Sequence, residues 1–412
     1  MRKSILGGLL AAIFFSSNAM ATSVEEKIEI LQQEIEALKD QVANAPSGNK
    51  AGGIQSFKDK TTIGGYGELH YNNFSGGATD KDMVDFHRFV LFFGHRFNDW
   101  ISFKSEFEIE HALVSGDGSS KGKVELEQAY LDFNINPHFN AKAGIFLIPL
   151  GMLNETHEPP TFFGVERNEI ESRIIPSTWW EAGVGAYGEV IPGLNYQLNI
   201  TSSLDAGKLK ANDFSKGFRD ARRSVSEAPA ENIAVSGALN YTGIPGLLIG
   251  TAFYTGATGQ DGASKPGLTG VDARLTLWDV HARYNKDKFD IRALYARGHL
   301  DDAAKINAAL GNGAGKGVAT SFYGWYVEGA YHVWKNGEHD LAPFIRFEKW
   351  DLQDEVPTGS IKNLAWRNNV WTIGANYWPH PQIVLKADYQ LYDQPDGTKG
   401  DKRFNLGLGY MF

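Results

Sequence analysis

From Thr61 onward the apolar residues of this chain recur at every second position. In segment 100–111, Ile101, Phe103, Phe107 and Ile109 share one face of an extended chain, while Lys104, Glu106, Glu108 and Glu110 share the other. Segment 193–204 sets Leu194, Tyr196, Leu198 and Ile200 against Asn195, Gln197, Asn199 and Thr201. The closing stretch does the same with Phe404, Leu406, Leu408, Tyr410 and Phe412. Successive side chains of a strand point to opposite faces, so this period predicts strands with one face in apolar surroundings. Sixteen such segments are predicted, at 61–74, 85–98, 100–111, 123–136, 139–149, 179–191, 193–204, 232–243, 246–256, 272–285, 289–300, 320–334, 339–353, 369–380, 382–393 and 401–412.

The connections alternate in length. Asn98-Asp99, Pro137-His138, Ile-Pro-Gly at 191–193 and 244–246, 286–288 and 379–381 are turn-like, and between them fall 112–122, 150–178, 205–231, 257–271, 301–319 and 354–368. Short turns on one rim, long loops on the other and segments of ten or more residues predict a transmembrane β-barrel. A β-sandwich or propeller competes, but its strands average five or six residues and its core does not accept unpaired charges. The expected fold class is therefore all-β, a 16-stranded antiparallel transmembrane barrel with a short N-terminal coiled-coil helix. Pro343, within 339–353, fits such a wall only at a strand end or a bulge.

Before Thr61 the pattern changes. Arg2 and Lys3, an apolar run from Ile5 to Phe15 and Ala19-Met20-Ala21 read as a secretory signal peptide over 1–21. Val24, Ile28, Leu31, Ile35, Leu38 and Val42 are spaced 4-3-4-3-4, a heptad seam over 22–43 that predicts a periplasmic coiled coil rather than a single helix packed on a domain. Residues 44–60, rich in Gly, Ser, Asn, Ala and Lys, read as a linker.

Composition removes several classes of chemistry. With no cysteine among 412 residues there are no disulfides and no thiolate catalysis or metal ligation. A formal charge of −9 is the wrong sign for nucleic-acid binding. No Ser or Asp sits in a motif tying it to one of the 11 histidines, so no enzyme activity and no cofactor are expected. Glu155, His157 and Glu158 lie too close together, and beside Pro159-Pro160, to form a helical metal-binding face. GNGAGKG at 311–317 lacks the first glycine and the final Ser or Thr of a phosphate loop.

By strand alternation Arg88, Arg96, Lys104, Lys142, Arg283, Arg292, Arg346, Lys386 and Arg403 point into the lumen. So do Glu68, Glu106, Glu108, Glu110, Asp132, Glu181, Glu189, Asp279, Asp290, Glu328, Glu348 and Asp388. Such charges keep the lumen wet and pair across strands, or set a transverse field that selects solutes.

Signal peptide, coiled coil, sixteen strands and terminal Phe412 together resemble the trimeric outer-membrane porins of Gram-negative bacteria. The stretches FHRFVLFFGHRFN (86–98), AYLDFNINPHFNAKAGIFLIPLG (129–151), FDIRALYARG (289–298), PFIRFEKWD (343–351) and VLKADYQLY (384–392) resemble the phosphate-selective porin O and P family. The resemblance implies a homotrimer in outer-membrane lipid, a barrel read by the assembly machinery through Phe412, and an inward-folded loop, here 150–178, that narrows each pore. Glu166, Arg167, Glu169, Glu171 and Arg173 then belong to the constriction, with Arg88, Arg96, Lys104, Glu106, Glu108, Arg283, Arg292, Arg346 and Lys386 lining the pore. This loop holds five Glu (155, 158, 166, 169, 171) against Arg167 and Arg173, whereas a phosphate channel relies on lumenal Arg and Lys. The charge count leans to a passive diffusion porin that is weakly cation-preferring or poorly selective, with Lys208, Lys210, Lys216, Arg219, Arg222 and Arg223 at the mouth. The alternatives are an anion or phosphate channel and a tether to peptidoglycan.

Overall fold

The computed structural model describes residues 60–76, 81–393 and 400–412; the expected signal peptide and coiled coil lie outside them, as does the linker except for Lys60. Sixteen antiparallel strands run in chain order: β1 (Thr61–Ser75), β2 (Lys81–Arg96), β3 (Ile101–Glu110), β4 (Lys123–Asn136), β5 (Phe139–Leu147), β6 (Trp180–Ile191), β7 (Leu194–Ser202), β8 (Ile233–Ile244), β9 (Leu247–Ala257), β10 (Arg274–Lys286), β11 (Phe289–Leu300), β12 (Ser321–Tyr331, resuming as Trp334–Asn336), β13 (His339–Glu355), β14 (Arg367–His380), β15 (Ile383–Asp393) and β16 (Lys402–Met411). Each pairs with its sequence neighbours, and β1 pairs with β16 from Tyr66↔Met411 to Ser75↔Lys402, closing the barrel. Closure leaves no edge of unpaired amides, which hydrocarbon would penalise by several kcal/mol per group. The short turns carry their own signal: Gly193 and Gly246 end the two Ile-Pro-Gly turns at φ of 84° and 82°, a conformation open to glycine at little cost.

Burial is inverted relative to a soluble protein. Leu198, Ile200 and Ile373 on the outer face are 49%, 49% and 55% exposed, whereas Asp279, Glu348 and Arg346 inside are 0%, 0% and 2% exposed. Pro343 points outward in β13, opposite Ala375 of β14. On its other side the ladder runs from Ala330↔Phe344 to Trp334↔Leu341, so β12 spends three residues where β13 spends two. The missing proline N–H thus falls beside this interruption, as the sequence reading required.

Two further bulges alter the lining. Between β1 and β2 the register jumps from Glu68↔Arg88 to Leu69↔Phe86, leaving His87 unpaired. Between β3 and β4 it jumps from Glu106↔Gln128 to Phe107↔Leu126, leaving Glu127 unpaired. Strict alternation from Asp132 puts Glu127 on the outer face, but the bulge brings it inside, where it is 1% exposed.

The lumen is not simply wet. Ile148, Leu150, Ile170, Ile174 and Trp179, between β5 and β6, join Leu204, Phe214 and Phe218, between β7 and β8, and Ile306 and Leu310 of α1 (Ala303–Leu310) in one apolar cluster. It packs on inward side chains of the wall, among them Tyr254, Leu275, Leu277, Leu294, Phe322 and Trp350. The Trp179 and Tyr254 rings lie 4.6 Å apart, and those of Phe218 and Phe322 5.7 Å. The basic 205–231 segment, expected at the mouth, therefore drives its own apolar residues into the interior.

Candidate functional site

The segment joining β5 to β6 is hydrogen-bonded to strands around the barrel. Gly151 N donates to Asp279 Oδ2 of β10 (3.0 Å), Val165 N to Asp388 Oδ2 of β15 (2.6 Å) and Glu169 N to Glu348 Oε2 of β13 (2.6 Å). In return Arg346 Nη1 donates to Phe163 O (3.2 Å) and Lys386 Nζ to Gly164 O (2.8 Å), with the Lys386 ammonium 3.6 Å from the Phe162 ring centroid. Backbone groups of an irregular segment need partners once away from water, and the lumenal charges provide them.

A cavity of about 310 Å3 opens beside this segment. Its charged lining is Arg88, Arg167, Arg173, Lys216, Arg219 and Arg403 against Glu68, Glu166 and Glu169, with His70 and His87. All three carboxylates are engaged. Arg88 Nε meets Glu68 Oε1 at 2.7 Å, His70 lies 3.2 Å from both Glu68 and Glu166, and Asn72 donates to Glu166 at 3.0 Å. Glu169 takes Arg173, Arg403 (3.9 Å) and the Tyr392 hydroxyl (2.6 Å). Burial works against the ionised form of both loop glutamates, but His70 holds Glu166 well below the usual carboxylate range and Arg173 and Arg403 bring Glu169 down to about 2.

The guanidinium groups are not balanced in the same way. Among the described residues Arg167, Lys216, Arg219 and Arg222 have no carboxylate within 4.0 Å. Arg167 donates to Thr178 Oγ1 (2.8 Å), and its Nε and Nη2 are buried without a hydrogen bond. Arg222 donates to the carbonyls of Pro176 (3.2 Å) and Thr178. Burial lowers the Arg219 pKa, and nearby Arg222, Arg167 and Arg88 lower it further. Such a like-charge group favours whatever anion comes near.

Of the remaining residues picked from sequence, Glu171 does not face the cavity. It is 0% exposed and accepts from Met152 N and Leu153 N (both 2.6 Å) and from the Tyr326 hydroxyl (2.8 Å), so it holds the segment in shape. Arg283, Asp290, Arg292, Glu328, Arg346 and Glu348 form a chain of ion pairs along β10–β13, with separations from 2.6 to 3.7 Å. Glu106 and Glu108 lie on β3, with Arg88 Nη1 3.3 Å from Glu108. Lys104 sits apart, 2.7 Å from Asp132, in a second cavity with Lys142, Glu155 and Gln197. Arg96 is exposed at the end of β2 by the short turn. Reading by residue type passed over the histidines: His70 stacks on His87 at 4.7 Å, and His87 and His111 both reach Asp85, at 3.0 and 2.8 Å. His87 lies inside because of a bulge, and no local sequence signal marks it.

A closed sixteen-strand antiparallel barrel, apolar outside and charged within, is the fold of a porin-type barrel. It resembles OmpF of Salmonella typhi, solved with daunomycin (TM-score 0.58, 13% identity, 85% of this chain and 97% of that one). It also resembles an anion-selective porin from Comamonas acidovorans (0.55, 10%, 85% and 99%) and the outer-membrane channel DcaP of Acinetobacter baumannii (0.54, 16%, 85% and 97%). These identities establish likeness of fold. No family model matches the sequence. The chain belongs to one family with a protein of Aquifex aeolicus (strain VF5) described only as uncharacterized, 32% identical over 396 residues, which are 94% of this chain and 86% of that one.

Proposed function

We propose that this protein is a passive outer-membrane porin whose constriction prefers anions. The observation that carries the reading is the set of unpaired cations, Arg167, Lys216, Arg219 and Arg222, gathered at or beside the cavity while its three carboxylates are spoken for. The lean to cations drawn from sequence set the loop's five glutamates against Arg167 and Arg173 alone. Glu171 is buried among donors, Glu166 meets His70 and Glu169 meets Arg173, so the loop's formal charge is not the charge a solute meets. Low-dielectric walls focus the field of the remaining guanidinium groups on the opening. Likeness to the Comamonas porin agrees with this reading.

Membership of the phosphate-selective porin O and P family is a narrower form of the same reading, and oxyanions suit a cluster of guanidinium forks. The assembly we propose is a homotrimer in outer-membrane lipid, its barrel recognised by the assembly machinery through Phe412 and its 22–43 segment coiled in the periplasm, within reach of peptidoglycan. A structural neighbour, OmpT of Vibrio cholerae, has been solved in a trimer form (TM-score 0.53, 14% identity).

The test is the reversal potential of reconstituted channels in a KCl gradient. The wild type should favour chloride, and combined Arg167→Gln, Arg219→Gln and Arg222→Gln should move the potential toward potassium. A cation-selective wild-type channel would restore the lean to cations and end this reading.

A further inference from the structure

The sequence offers no metal motif, yet the β3–β4 register shift and the inward segment assemble one. Glu106 lies on β3, Glu127 is the bulge residue of β4 and His157 comes from the β5–β6 segment. They are 2%, 1% and 3% exposed. His157 Nε2 is 3.3 Å from Glu106 Oε1 and 3.4 Å from Glu127 Oε2, and the three ligand atoms lie within 4.8 Å of one another. None of these three atoms makes a hydrogen bond. Neither does a buried neighbour, the Tyr66 hydroxyl. Unsatisfied buried polar atoms in such number call for a physical occupant.

We propose that Glu106, Glu127 and His157 bind one divalent transition-metal cation of the zinc class, fastening the constriction segment to the barrel wall. Bonds of about 2.1 Å to a tetrahedral ion put neighbouring ligand atoms about 3.4 Å apart, which matches the two separations found here. The outer atoms of the ligands are already committed, as metal ligands' outer atoms usually are. His157 Nδ1 faces Asn154 O at 3.0 Å, so the N–H it donates there turns the Nε2 lone pair toward the carboxylates. Asn154 is itself fixed, donating to Ile148 O (2.7 Å) and Trp179 O (2.9 Å). Gln128 Nε2 donates to Glu106 Oε2 at 2.7 Å, leaving Oε1 for the ion.

Two carboxylates and one imidazole suit Zn2+, Mn2+ or Fe2+ better than Mg2+, which prefers all-oxygen octahedral surroundings. The inference stands apart from the selectivity reading, since a pore of either preference can hold its constriction in this way.

The experiment uses the intact porin in detergent, stripped with EDTA and titrated with Zn2+, then with Co2+ for its visible absorption. One Zn2+ per chain is expected, with the intense spectrum of a tetrahedral cobalt site. Glu127→Gln and His157→Gln should each weaken binding by more than the about 10–100-fold that loss of an outer partner costs. His87→Gln, in the separate Asp85–His87–His111 group, should leave it unchanged. If either site variant fails to fold, the wild-type stoichiometry and cobalt spectrum decide. Folded wild-type protein that takes up neither ion, or binding lost in His87→Gln but kept in His157→Gln, overturns the assignment.

Discussion

Two stretches of the same lumenal wall solve opposite problems. Toward the long-loop rim of β10–β13 the inward positions are Leu275, Leu277, Leu294, Ala296, Phe322 and Trp350, covered by Phe214, Phe218, Ile174 and Ile306. A few residues further along the same strands stand Asp290, Arg292, Glu328 and Arg346, paired with one another. The first stretch behaves as a soluble core: it holds loops in the barrel by apolar burial. The second touches the backbone of the β5–β6 segment and holds it by hydrogen bonds from charged groups. Facing the lumen is therefore not the same as being wet. What a lumenal position carries depends on which loop lies over it.

The widest separation between the two stretches should come from breaking the charged one. Arg346→Ala leaves Glu348 buried without its guanidinium, leaves Glu328 only Arg292 at 3.7 Å, and removes the donor to Phe163 O. Losing one partner of such a pair costs about 3–5 kcal/mol, to be read from urea unfolding of the reconstituted barrel. On the apolar side, Phe214→Ala removes a side chain packed against Phe218, Phe322 and Trp366. Truncation of a buried Phe costs about 3–5 kcal/mol, and a loop free of the strand ladder relaxes enough to put this one near 3. The same variant should raise single-channel conductance, because the lost contacts hold a loop in the lumen. Unchanged conductance would mean that the plug does not restrict the path. The smallest effect belongs to Lys104, whose side chain is 53% exposed beside Asp132. Lys104→Ala should change stability by less than about 1 kcal/mol.

Much of this fold was legible because the outer face is mostly apolar, so alternation survives along whole strands: β4 and β11 match the segments read from sequence, and the other boundaries move by a few residues. The apolar plug was hidden in the same signal. Leu275, Leu277, Leu294 and Phe322 read as ordinary strand residues, and Phe214 and Phe218 as isolated residues in a polar loop. Charges were located but not their pairing. Glu171 and Glu169 look alike in sequence, and only the fold gives one to the backbone of Met152 and Leu153 and leaves the other on the cavity. His87 and Glu127 escaped because alternation assumes an uninterrupted ladder, and both occupy bulges.

Those bulges behave like frameshifts in a two-letter code. A substitution rewrites one letter and is confined to the face it already occupies. An extra residue changes how every letter before it is read against the letters after it, and it places two consecutive letters on the same side. In β2 the pair is His87 and Arg88, and in β4 it is Glu127 and Gln128, each adding polar chemistry to the interior while the lipid-facing alternation resumes beyond it. A wall of this kind acquires new lumenal groups by single-residue insertions, and deleting Glu127 should restore the simple reading frame and erase the group it supplies.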